Sequence, residues 1–173
     1  MLSRSLIGKR LTPQKAIRAF QQRRSSHYVV PLIINGRDTH GEEFEVKTPL
    51  TNTPIWNATA ATAQNVEDAV ASAQAAFPAW AATKHSERRD VFMRTADIME
   101  KRRDEFTGYM HQEIGAGVDM QNFIFSVSVE GLRDTAGRIA GAITGTVPQS
   151  LHRGMRAMVE KVPYGVVLGI GPW

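Results

Sequence analysis

The sequence predicts an α/β chain: a β-hairpin, three to four helices, an extended strand pair, and then the opening strand of a parallel sheet. Three observations lead there. Apolar residues recur at helical spacing through long segments between residues 62 and 140. Asn35-Gly36 interrupts a β-rich run with two residues that tolerate the positive φ angles of a tight turn. Val166-Val167-Leu168-Gly169-Ile170 is nearly continuous in apolar residues, the pattern of a parallel strand covered on both faces.

Tyr28-Val29-Val30-Pro31-Leu32-Ile33-Ile34 leads into the Asn35-Gly36 turn, and Glu43-Phe44-Glu45-Val46-Lys47, with its period of two, is the expected returning strand. Pro49 and Pro54 bracket a loop, and Pro54–Thr59 reads as a further short strand. Thr62 is placed to cap a helix whose apolar face is Val66, Ala69, Val70, Ala73, Phe77 and Trp80. Pro78 should end or bend that helix. A second helix is expected from Ser86 to about Ile114, with Val91, Phe92, Thr95, Ile98, Met99, Phe106, Tyr109 and Met110 inward and Gly115 as its stop. A third should run from Asp119 to Ala140 on Phe123, Ile124, Val127, Leu132, Thr135 and Ile139. Thr144–Pro148 and Met155–Val162 then read as an extended strand pair around a polar loop at His152-Arg153-Gly154.

Composition bounds the chemistry. The chain has 173 residues and no cysteine, which removes disulfides, thiolate metal sites and a cysteine nucleophile from these residues. Seven of its 21 basic residues, and none of its 17 acidic ones, fall within residues 1–30 (Arg4, Lys9, Arg10, Lys15, Arg18, Arg23, Arg24), so the remainder is net acidic. No basic stripe is left for nucleic acid. Residues 1–26 are Arg-rich, Ser-bearing and acid-free, with apolar residues among the cations; that is the composition of a mitochondrial transit peptide, the alternative being a basic tail with no address. No run of about 18 apolar residues offers a membrane span. The five histidines fall at no metal-ligand spacing. Carboxylates on the second helix lie opposite its apolar stripe, where ion pairing outweighs acid–base work. Asn57-Ala58-Thr59 matches a glycosylation sequon but lies in a chain without a secretory signal.

The carboxyl-terminal tip is the candidate site. Gly169 and Gly171 remove side chains where a ligand or another backbone could approach, and Pro172-Trp173 turn the chain at the end of the strand where open α/β sheets bind ligands. A buried core strand closed by a Pro turn is the other reading of the same residues.

Pro163-Tyr164-Gly165-Val166-Val167-Leu168-Gly169-Ile170-Gly171-Pro172-Trp173 resembles the Pro-x-Gly-Val-Val-x-x-Ile-x-Pro-Trp strand of the NAD(P)-dependent aldehyde dehydrogenases. Leu32–Gly36 looks like that family's opening strand and turn, Ala75-Ala76-Phe77-Pro78-Ala79-Trp80 like its Phe-Pro-x-Trp helix end, and Ser86-Glu87-Arg88-Arg89 like the start of its next helix. Gly115-Ala116 falls where the family has Gly-Lys or Gly-Ala. The likeness runs from about Val30 to Trp173, and its tone is that of members acting on aromatic aldehydes such as salicylaldehyde or vanillin.

The resemblance implies the N-terminal portion of an aldehyde dehydrogenase-like, Rossmann-type fold. Its parts would be a leader (1–26), a hairpin and helical region (27–143), a strand pair that helps subunits associate (144–162), and the first strand of a dinucleotide-binding domain (163–173). It assigns Ile170, Gly171, Pro172 and Trp173 to the NAD or NADP site. It also implies that the family's oxyanion Asn, Glu base and Cys nucleophile lie beyond these residues. Aldehyde oxidation by that route needs a thiolate to add to the carbonyl, donors for the resulting oxyanion, and a base to activate water. The chain is therefore expected to carry no catalytic residue, to bind no cofactor alone, and to associate with itself or with full-length subunits. The alternative is a non-catalytic module that docks on a complete dehydrogenase.

Overall fold

A computed structural model describes residues 28–171; the leader assigned to residues 1–26 lies outside them. Five short strands precede four helices: β1 (Val29–Val30), β2 (Leu32–Ile34), β3 (Arg37–Thr39), β4 (Glu43–Lys47), β5 (Pro54–Thr59), α1 (Ala63–Ala81), α2 (His85–Lys101), α3 (Arg103–Ile114) and α4 (Val118–Ala142).

The strands form two small sheets. In one, the order is β1-β5-β4, with β1 parallel to β5 (Val29 opposite Asn57) and β4 antiparallel to it (Glu43 opposite Thr59). In the other, β2 and β3 pair antiparallel, Leu32 opposite Thr39 and Ile34 opposite Arg37. Asn35 (φ 53°) and Gly36 (φ 69°) make the expected tight turn between them. The returning strand is thus Arg37–Thr39, not Glu43–Lys47, which pairs with β5 instead. A two-residue turn brings back the residues directly after it, whatever their polarity. Pro31, without an N–H, separates β1 from β2 and lets the two halves of one apolar run join different sheets.

Thr62 caps α1 as expected. Its Oγ1 accepts from the Asn65 N–H (3.2 Å), and Asn65 Oδ1 accepts from the Thr62 N–H (3.0 Å), satisfying two donors reciprocally. Pro78 lies inside the helix, which ends within a turn of it at Ala81. The guanidinium of Arg88, on α2, donates to the carbonyls of Trp80 (3.2 Å) and Ala81 (2.8 Å) and to Thr83 Oγ1 (2.9 Å), so a side chain of the next helix closes this one.

The single helix expected from Ser86 to Ile114 is two, broken at Arg102, whose backbone (φ −105°, ψ 22°) leaves the helical region. Arg102 grips Glu105 through both Nε and Nη2 (2.8 Å each), and its guanidinium lies 5.6 Å from the Phe106 ring. Gly115 (φ 68°) ends α3 in the left-handed conformation, as its position predicts. Ala116 follows buried, and its carbonyl accepts from Gln121 Nε2 (2.6 Å), which ties the loop to α4.

The core sits between α2, α3 and α4. Ala96, Phe125 and Val129 are fully buried, with Met99, Phe106, Met110 and Leu132 packed on them. Arg103 lies over the Phe125 ring (4.7 Å) and donates to Asn122 Oδ1 (2.9 Å). Trp56 meets Tyr109 edge-on at 6.0 Å and joins β5 to α3. The inward stripe of α4 is Phe125, Val129, Leu132 and Ala136; Phe123 (65% exposed) and Val127, expected inside, face outward. With apolar residues at 123, 124, 125, 127 and 129 the segment has no unique apolar face, and packing on α2 decides the phase.

Candidate cofactor-contacting tip

The strand pair after α4 is much reduced. Only Thr146 and Val159 form an antiparallel bridge, and the remainder of 144–162 is irregular. Residues 163–171 form no strand with any other described segment. The covered parallel strand expected at Val166–Ile170 is therefore not present in that form: Leu168 and Ile170 are each 84% exposed. A parallel strand exists only beside hydrogen-bonding neighbours, and no described strand lies alongside.

What the segment does face is apolar. Val167 and Leu168, with Leu32 and Ile34 of β2 and Val66 and Val70 of α1, line an open groove of about 420 Å³. The predicted stripe of α1 is thus correctly phased toward β2, yet α1 contains no fully buried residue.

Of the four residues assigned to the cofactor, Ile170 and Gly171 are described and both are exposed; Pro172 and Trp173 lie outside the described residues. A Cβ placed on Gly169 or Gly171 would meet nothing within 4 Å, so the backbone there is open to a flat partner. Ile170 sets an apolar side chain beside that bare backbone.

The charged groups serve structure. Arg133 on α4 donates to Glu100 (2.7 Å) and lies 3.4 Å from Asp97, both on α2. Its hydrogen bond holds the Glu100 carboxyl below the usual carboxylate range and raises the guanidinium in turn. The bond to Glu105 likewise raises Arg102. Glu113 moves the other way, pushed up by desolvation near the end of α3. Among the described residues no three His, Asp or Glu side chains gather to hold a metal ion, and no helix is long and apolar enough to cross a membrane. Phe125 and Val129 on α4 are core. Two residues the sequence did not single out, Gly145 and Lys161, fix the start of the segment that carries the tip.

A hairpin, four helices and an arm that ends in a Gly-x-Gly tip define the opening part of a dehydrogenase fold. Comparison with known proteins agrees. The model of the Aldehyde dehydrogenase family matches residues 36–173, and the chain belongs to that family. A vanillin dehydrogenase of Pseudomonas sp. (strain HR199 / DSM 7063) is 40% identical over 147 residues, which are 83% of this chain and 30% of the relative. The crystal structure of a salicylaldehyde dehydrogenase from Pseudomonas putida G7 complexed with salicylaldehyde superposes with a TM-score of 0.73 at 26% identity, over 79% of this chain and 29% of that one. PnpE in complex with nicotinamide adenine dinucleotide gives 0.70 at 28% identity, over 76% and 27%. The chain thus spans about 30% of the length of the curated relatives it matches.

Proposed function

We propose that this chain forms the amino-terminal part of an NAD(P)-dependent aldehyde dehydrogenase acting on an aromatic aldehyde, and that Ile170, Gly171, Pro172 and Trp173 make one wall of its cofactor site. The observation that carries the reading is the family match over residues 36–173, a range that includes these four positions. The likeness to a vanillin dehydrogenase supports the aromatic substrate. A nicotinamide cofactor bound there would supply the acceptor for the hydride of the aldehyde carbon. The part of this chain would be to hold the cofactor: Ile170 offers apolar contact and Gly171 lets a planar ring approach the main chain.

These 173 residues contain no cysteine. The family's thiolate is not among them, and by themselves they oxidise nothing and hold no cofactor. Purified chain mixed with vanillin and NAD or NADP should give no rise in absorbance at 340 nm; aldehyde-dependent formation of reduced cofactor overturns this.

A second reading, docking on full-length subunits, draws on the arm, where Val147, Met155, Met158 and Val162 are all exposed. Co-expression with a complete relative, followed by affinity capture, separates the two: recovery of a stoichiometric complex favours docking. The Arg-rich leader makes the mitochondrion the proposed destination, tested by import of the chain into isolated mitochondria with loss of residues from its amino end.

A further inference from the structure

The arm leaves α4 at Ile143 and comes back across the end of that helix. Its crossing is tight. Thr146 N–H donates to the Val159 carbonyl (3.0 Å), and Val159 N–H returns the bond to Thr146 (2.8 Å). At the neighbouring Gly145, any Cβ would overlap the Val159 carbonyl oxygen, so the two backbones pass at a separation only glycine tolerates.

The end of α4 poses an accounting question, because the last carbonyls of a helix have no partner within it. The Ile139 carbonyl accepts from the Ile143 N–H (3.3 Å) and the Gly141 carbonyl from the Thr144 N–H (3.3 Å). Thr144 Oγ1 donates to the Ala140 carbonyl (3.0 Å). The Ala142 carbonyl accepts from Lys161 Nζ at 2.8 Å, a residue 19 positions later in the chain. A cation at that point also meets the negative end of the helix macrodipole.

We propose that Lys161 is a positioning residue: a charge latch that holds the 144–162 arm closed over the carboxyl end of α4. Loss of the charge loosens the Thr146–Val159 bridge and frees the apolar arm residues Val147 and Met158 to take another orientation. The inference rests on this crossing alone and stands apart from the dehydrogenase reading.

Amide hydrogen exchange by NMR on the full chain, at neutral pH and low salt, tests it. Lys161→Gln should speed exchange at Thr146 and Val159 by roughly two- to fivefold, the size of a charge–helix-terminus interaction. Lys161→Arg should leave both near the parent rate, and the core amides of Phe125 and Val129 should not change in either variant. Gly145→Ala should open the same bridge by a larger factor without touching the charge. The proposal fails if Lys161→Gln leaves Thr146 and Val159 unchanged, if Lys161→Arg loosens them equally, if the core amides speed up alongside them, or if Gly145→Ala has no effect on the bridge.

Discussion

The face of α4 that meets α2 and the face of α1 that meets β2 are written in the same alphabet of Val, Ala and aromatic residues, and their fates differ. On α4, Phe125 and Val129 are 1% and 2% exposed, closed in by Ala96, Met99 and Phe106. On α1, Val70 is 43% exposed and looks across an open groove toward Leu168. Periodicity tells a helix which way to face; only a second and third element decide whether the face is dry. Two helices, α2 and α3, supply those partners for α4, whereas α1 has a two-stranded ribbon and a strandless segment.

The sharpest test of that contrast truncates an apolar side chain on each side. Phe125→Ala should cost ~3–5 kcal/mol in urea unfolding, because it opens a cavity among packed neighbours. Val70→Ala should stay within about 0.5 kcal/mol, as expected of a position away from any packed core. Comparable losses would break the comparison. At the joint between α3 and the β4–β5 loop, Gly115→Ala should cost about 1–2 kcal/mol. It puts a side chain at φ 68° and 3.3 Å from Leu50 Cδ2, and thermal midpoints would register it.

Because α1 draws little from burial, its cap should matter: Thr62→Ala should lower stability by about 1 kcal/mol and reduce helical ellipticity in proportion. Glu113 gives the smallest effect and a pH signature. Its folded-state pKa is raised by desolvation, so the neutral acid is the form the fold prefers. That preference is fully present below the unfolded-state pKa and is lost as pH rises through the folded one. Glu113→Gln should therefore stabilise the chain by roughly 0.5 kcal/mol at pH 7, a figure discounted for solvent screening, and by nothing near pH 3. Glu100, held low by Arg133, has the opposite sign: its contribution is present at neutral pH and disappears on acidification through the acid range.

Helix ends were legible in the sequence where each has a chemical cause in a single residue: Thr62 at one start, Gly115 at one stop. The break at Arg102 had no such mark. It lies in Lys101-Arg102-Arg103, good helix formers all, and only the grip of Arg102 on Glu105 reveals it. The phase of α4 was hidden because its apolar residues encircle the helix. The hairpin partner was misread because Glu43–Lys47 alternates conspicuously while Arg37-Asp38-Thr39 is polar, and proximity to the turn outweighs pattern. For the tip, residue types were informative and pairing was not, since a parallel strand depends on neighbours remote in sequence.

The fork made by Arg88 carries a consequence for the order in which the protein comes apart. One guanidinium spans Trp80, Ala81 and Thr83 and is the clasp between the loosely covered first helix and the bundle behind it. Stability distributed so unevenly divides into cooperative units. The ribbon β2–β3 and α1 should open while α2, α3 and α4 remain shut, with β5 still held to α3 through Trp56 and Tyr109.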